Sequence, residues 1–242
     1  MEKITIFCFP FAGGNKYSYR GFIAHAPASL DFVPLEWPGR GARFKEPILN
    51  DLNAIVEDAF SNLKNQLDWN QPYAFYGHSM GAIVGFLVAQ KIAQSSLPKP
   101  LHLFFTGRAA PSVKPNQRAD FHSLPKAQFI QKVRELGGMP EEILGNTDLM
   151  DFVEPILRAD FEALEKHDYQ PAEPLDIPID IVIGTKEDIS MEQAFAWKKE
   201  STASVQIKQL DGDHFFILNH SLYMMQFMTE KLKVTAYKAN LK

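Results

Sequence analysis

Only one cysteine, Cys8, occurs in the 242 residues, so no internal disulfide can form. Its position inside the apolar run ITIFCF reads as a buried structural thiol, which suits a reducing cytoplasm. Long hydrophobic runs are also missing: the longest near-continuous one, residues 82–89, falls well below the roughly 18 residues needed to cross a bilayer. Positive charge is not in excess, since a net charge of -4 offers no broad footprint for nucleic acid or an anionic membrane. The start, MEKITIFCFPFAGG, lacks the longer apolar core and small-residue cleavage site of a signal peptide, so the expected location is cytoplasmic. Repeats and low-complexity tracts are absent as well. The expectation is one domain over residues 1–242.

What is present is an alternation of short β-prone runs with segments at helical period, which indicates an α/β fold with a mainly parallel sheet. Strands are expected at residues 4–9, 32–36, 73–76, 101–106, 179–183 and 205–209. Asp51 is a suitable N-cap for a helix whose apolar face carries Leu52, Ile55, Val56, Ala59, Phe60, Leu63 and Leu67. Residues 111–174 break the alternation and read as an inserted helical cap, or lid. Within it, LPKAQFIQKVRELGG predicts a helix closed by glycines, and Pro155 is expected to kink or divide the next one. A last helix is expected at 215–232, followed by a frayed tail from residue 233.

Chemistry concentrates around YAFYGHSMGAIVGF, residues 73–86. A strand running into a helix through G-x-S-x-G is the nucleophile elbow, which holds a serine oxygen clear of the sheet. Ser79 is therefore the candidate nucleophile, with a simple helix N-cap as the competing role. A serine hydroxyl needs an imidazole to take its proton and a carboxylate to orient that imidazole, and in this topology the order is serine, acid, histidine. His214, in LDGDHFFI beyond the last strand, fits best. His25, His78 and His102 come too early, His122 and His167 lie in the cap, and His220 is expected inside the last helix. The strand-loop IDIVIGTKEDIS supplies the acid: Asp188 is the choice, with Glu187 its immediate rival, while Asp211 and Asp213 suit turn roles. An oxyanion hole would combine the amide of Met80 with one from the loop FPFAGG, at Phe11 or Ala12. Arg108 follows a strand, where it could hold either a phosphate or neighbouring carbonyls.

The blocks CFPFAGG, EWPGRGAR, YGHSMGA, FTGRAAP, LGGMPEEILGNTDLMDFVEPILRADFEALEKH, IPIDIVIGTKED and GDHFFI together resemble the type II thioesterases, external editing enzymes of nonribosomal peptide and polyketide synthases in the α/β-hydrolase superfamily. The elbow is widespread, whereas PGR and the GGMPEEIL…RADF cap are far more family-specific. The family often has a serine and an additional proline where this chain has Thr106 and Ala109. The resemblance implies an α/β-hydrolase fold with Ser79, Asp188 and His214 as nucleophile, acid and base. It also implies Met80 and Ala12 as oxyanion amides, with Phe11 the alternative. The implied substrates are acyl groups on the phosphopantetheine arm of acyl or peptidyl carrier proteins, with acyl-CoA a minor one. No cofactor or metal of its own and a monomeric state are expected. A carboxylesterase or lipase on the same fold, or a non-catalytic binding module, are the rival readings.

Overall fold

The computed structural model describes residues 3–113 and 120–239. Strands β1 (Ile4–Phe9), β2 (Leu30–Pro34), β3 (Tyr73–His78), β4 (Leu103–Thr106), β5 (Ile179–Gly184) and β6 (Val205–Leu210) make one sheet in the order β2-β1-β3-β4-β5-β6. Every neighbouring pair is parallel. Between and after them come α1 (Arg20–Ile23), α2 (Leu52–Gln66), α3 (Met80–Ala93), α4 (Lys126–Leu136), α5 (Glu141–Leu144), α6 (Thr147–Lys166), α7 (Met191–Phe195), α8 (Phe216–Asn219) and α9 (Ser221–Ala239).

Both faces are buried over β1, β3, β4 and β5, which is why those strands read as apolar runs, whereas the edge strands β2 and β6 alternate, with Asp31, Gln206 and Lys208 exposed. In β1, Phe7 and Phe9 enter the core under α2 and α3, while Ile4, Ile6 and Cys8 enter the opposite core with Met224, Met225 and Met228 of α9. The α2 face follows the expectation at Leu52, Ile55, Val56, Ala59 and Leu63, which are buried, whereas Phe60 is only half-buried and Leu67 is buried just past the helix as its C-cap; Asp51 Oδ1 accepts the Ala54 N–H at 2.8 Å. Strand β2 starts two residues earlier than expected because Ile4 pairs with Leu30. The chain leaves β1 for β2 on one side and returns to β3 on the other. The C-terminal ends of β1 and β3 therefore flank the switch point where open α/β sheets place ligands.

Three expectations about helices need correction. Pro155 does not divide α6, which runs unbroken from Thr147 to Lys166. Its Asn146 cap and its buried Ile156, Leu157, Ala159, Asp160 and Ala163 outweigh a proline cost of about 3 kcal/mol. The last helix does break, at His220, whose Nε2–H donates to the Asp211 carbonyl at 2.8 Å and draws the chain back toward the preceding turn. Helix α9 then continues to Ala239, past the point where fraying was expected; residues 240–242 lie outside the described residues. The expected cap is occupied by α4, α5 and α6, which share a small core of Phe129, Val133, Leu144, Met150 and Leu157. Residues 114–119 of that segment are likewise outside the description.

Candidate active site

Strand β3 passes into α3 through Ser79, which adopts φ 53° and ψ -113° and is the one non-glycine residue with positive φ among those described. Such a conformation costs about 1–3 kcal/mol and persists only where its surroundings enforce it. Here the glycines on either side do so. A Cβ on Gly77 would sit 2.2 Å from the Gly81 carbonyl oxygen, and one on Gly81 would sit 2.0 Å from that of Phe9. Ser79 N–H donates to the Thr106 carbonyl at 2.9 Å, anchoring the elbow to β4. The side chain makes no capping hydrogen bond to α3, so the contact that would define a simple N-cap is missing. Met80 begins the helix, where the first amides have no intrahelical acceptor.

His214 lies in the turn after β6, and its Nδ1 donates to Glu187 Oε1 at 2.5 Å. The expected partner, Asp188, is exposed and does not face the imidazole; the structure puts its neighbour there instead. The cause is local. Glu187 Oε2 accepts the Gly184 N–H at 2.6 Å, so the longer side chain folds back over the end of β5 and is only 1 % exposed, and the next residue in the loop is turned to solvent. Asp213 and Asp211 serve the turn as expected, accepting from Phe215 N–H and Thr185 Oγ1–H. Other histidines are spent elsewhere. His102 pairs with Asp180, and His122 with Glu165.

The loop after β1 is moulded on the cap. Gly13, at φ 73°, donates its N–H to Asp160 Oδ2 of α6 at 2.7 Å, and a Cβ there would lie 2.4 Å from Leu157 Cδ2. Gly14 N–H returns to the Phe11 carbonyl at 2.8 Å. With those amides engaged, the Phe11 and Ala12 amides are the ones in this turn that have no backbone partner among the described residues. Asp160 is itself gripped by Arg40 through two bonds of 2.6 and 2.7 Å, both side chains being almost fully buried. Neither residue was singled out in the sequence. Their only signal was membership of the PGR and RADF blocks, 120 residues apart.

Phe11, Ala12, Ser79 and His214 all line one cavity of about 1050 Å³, roofed by cap side chains including Val133, Leu157 and Phe161. Beneath it His78 is fully buried, with Nδ1 3.0 Å from Thr106 Oγ1 and its ring centroid 4.8 Å from that of His214. Burial first, and the neighbouring His214 second, hold the His78 pKa well below the usual imidazole value. A neutral ring therefore backs His214. One cluster in the cap, Asp120, His122 and Glu165, has cation-like spacing. Its groups are already used: Glu165 accepts from the Phe121 and His122 amides and from His122 Nδ1.

Comparison with known proteins adds four findings. The family model described as thioesterase domain matches residues 4–231. The chain is 35% identical to the gramicidin S biosynthesis protein GrsT of Aneurinibacillus migulanus, covering 96% of this chain and 90% of that one. Among solved structures it is similar to the RedJ thioesterase from the prodiginine biosynthetic pathway in Streptomyces coelicolor, with TM-score 0.85, 29% identity and coverage of 93% and 90%. It is also similar to YbtT, the type II thioesterase from the yersiniabactin NRPS/PKS biosynthetic pathway, with TM-score 0.86, 26% identity and coverage of 97% and 94%.

Proposed function

The chain belongs to the thioesterase domain family, and from that premise we propose that it hydrolyses acyl thioesters on the phosphopantetheine arm of carrier proteins, using Ser79 as nucleophile, His214 as base and Glu187 as the acid that orients it. The observation that carries the reading is the strained Ser79 elbow opening into the same cavity as His214, whose Nδ1–H is already committed to Glu187. That bond fixes the tautomer and leaves Nε2 as the acceptor for the serine proton. Ser79 Oγ attacks the thioester carbonyl as its proton passes to His214. The oxyanion is received by the amides of Met80 and Ala12, or Phe11 in place of Ala12; one such donor is worth about 2.7–4 kcal/mol in a characterised hydrolase. Collapse breaks the C–S bond, His214 returns the proton to the departing sulfur, and an acyl-serine remains. Water then attacks with His214 again as base, releasing the free acid and restoring Ser79. These steps draw only on the chain's own groups and water.

The carrier protein as partner rests on the kinship with proteins of NRPS/PKS pathways. Acyl-CoA, which bears the same arm, is a second substrate. The test is intact-protein mass spectrometry of acyl-loaded carrier proteins. The wild type should remove the acyl mass and Ser79→Ala should not. Faster cleavage of a matched oxygen ester would overturn the thioester assignment.

A further inference from the structure

We propose that Arg108 and His167 form a subsite within the same cavity for an anionic oxygen group carried by the substrate. The inference rests on the thioesterase reading and deepens it.

Arg108 lies two residues beyond β4. Its carbonyl accepts the Trp197 Nε1–H at 2.9 Å, which fixes the backbone, and its side chain lines the cavity that Ser79 and His214 also line. Unlike Arg40 with Asp160, Arg43 with Asp58 and Arg158 with Glu154, its guanidinium has no carboxylate partner among the described residues. Burial lowers its pKa, and no anion offsets that effect. In the same cavity, His167 Nε2 is buried without a hydrogen-bond partner among the described residues. Burial, and then the charge of Arg108, depress the His167 pKa, so the ring is neutral beside the cation. Two acids also line this cavity, and each has a partner: Glu165 accepts the Phe121 and His122 amides, and Asp168 accepts from Gln170. Asp51 and Asp168 act on His167 only as weaker charges.

An unpaired guanidinium beside an unpaired imidazole nitrogen, in a partly desolvated pocket, is costly until an acceptor arrives. A planar guanidinium suits carboxylate and phosphate oxygens alike. The substrate offers two sources: a carboxylate at the far end of the acyl group, or the phosphate of the phosphopantetheine arm.

Two substrate pairs separate them with the full chain. The first compares succinyl with butyryl N-acetylcysteamine thioesters, which differ in a terminal carboxylate. The second compares butyryl-phosphopantetheine with butyryl-pantetheine. In the wild type the charged member of one pair should be favoured in kcat/KM by about tenfold or more, the scale of one charge-assisted hydrogen bond. Arg108→Gln should bring that ratio to within about threefold of one, and Arg108→Lys should retain part of it. A preference in the first pair assigns an acyl carboxylate, and one in the second assigns the phosphate. Wild-type ratios near one in both pairs, or a ratio that survives Arg108→Gln, overturn the subsite. The wild-type ratios decide this even where Arg108→Gln fails to fold. Hydrolysis of the butyryl thioesters without charge preference sinks the subsite alone, whereas no Ser79-dependent hydrolysis of any thioester sinks the thioesterase reading itself.

Discussion

Ser79 and Glu187 owe their placement to backbone contacts that leave little choice. The elbow closes only around Gly77 and Gly81, and Glu187 is drawn inward by the Gly184 amide. Substitution should separate the two adjacent acids sharply. Glu187→Gln should lower kcat by about 10²–10⁴, comparable to loss of the orienting acid in a characterised triad, while Asp188→Asn should stay within about threefold of wild type. Steady-state kinetics on one acyl thioester is sufficient, and the reverse ranking would restore Asp188. Which of two neighbouring carboxylates turns inward was not legible in KED, because it depends on the course of the turn between β5 and its Gly184 amide. The serine and His214 were legible, since each sits at a boundary between a strand and a helix that apolar patterning marks. His78 carries a second prediction. Its folded pKa lies below the unfolded value near 6.5, so at lower pH the unfolded chain binds the extra proton. That contribution to stability is present above about pH 6.5 and is lost as pH falls toward the folded pKa, with a slope of at most about 1.4 kcal/mol per pH unit. Urea melts at pH 7.5 and 5.5 should show a smaller acid loss in His78→Phe than in the wild type; equal losses would assign the effect to other groups.

Helix α6 does more than roof the cavity. Through Leu157 and Asp160, three residues apart on one helical face, it shapes the Gly13 turn and holds it to Arg40. Removing one partner of a buried ion pair strands the other, so Asp160→Asn should cost about 3–5 kcal/mol in denaturant unfolding. Replacing both, as Arg40→Met with Asp160→Leu, should recover much of that stability because no charge is left unpaired. The double variant should nevertheless keep a reduced kcat, since no acceptor remains for the Gly13 amide next to Ala12. Recovery of kcat together with stability would confine the pair to a purely structural role. The elements themselves were largely readable. The inner strands are apolar and β-prone, and the α2 stripe and its Asp51 cap follow the helical period. The contact between α6 and the Gly13 turn was not, because nothing local in PGR or RADF says that residues 40 and 160 meet. The break at His220 was missed for a related reason: it answers to a carbonyl nine residues earlier.

At the scale of the whole molecule, the cores divide the chain unequally. Phe129 and Val133 of α4, Leu144 of α5 and Met150 and Leu157 of α6 form a small cluster apart from the two cores on the sheet. Helix α6 is moored to the body as well, since Ala163 enters the sheet core and Asp160 holds Arg40. By contrast, α4 buries only Phe129 and Val133, and it ends at Gly137 and Gly138, both with φ near 80°. Gly138 packs so closely on Phe215, beside His214, that a Cβ would lie 2.4 Å from that ring. A segment with few buried contacts and a glycine hinge against the proposed base is where local opening should concentrate. Hydrogen exchange should therefore rank β3 and α3 slowest, α6 intermediate, and α4 and α5 fastest. Asp160→Asn should raise the exchange of α6 toward that of α4 while leaving β3 last to open. Such a cap would admit acyl groups of different size without disturbing the elbow. If α4 proves as protected as β3, the cap is a rigid roof, and acyl selection must then come from the fixed walls of the cavity.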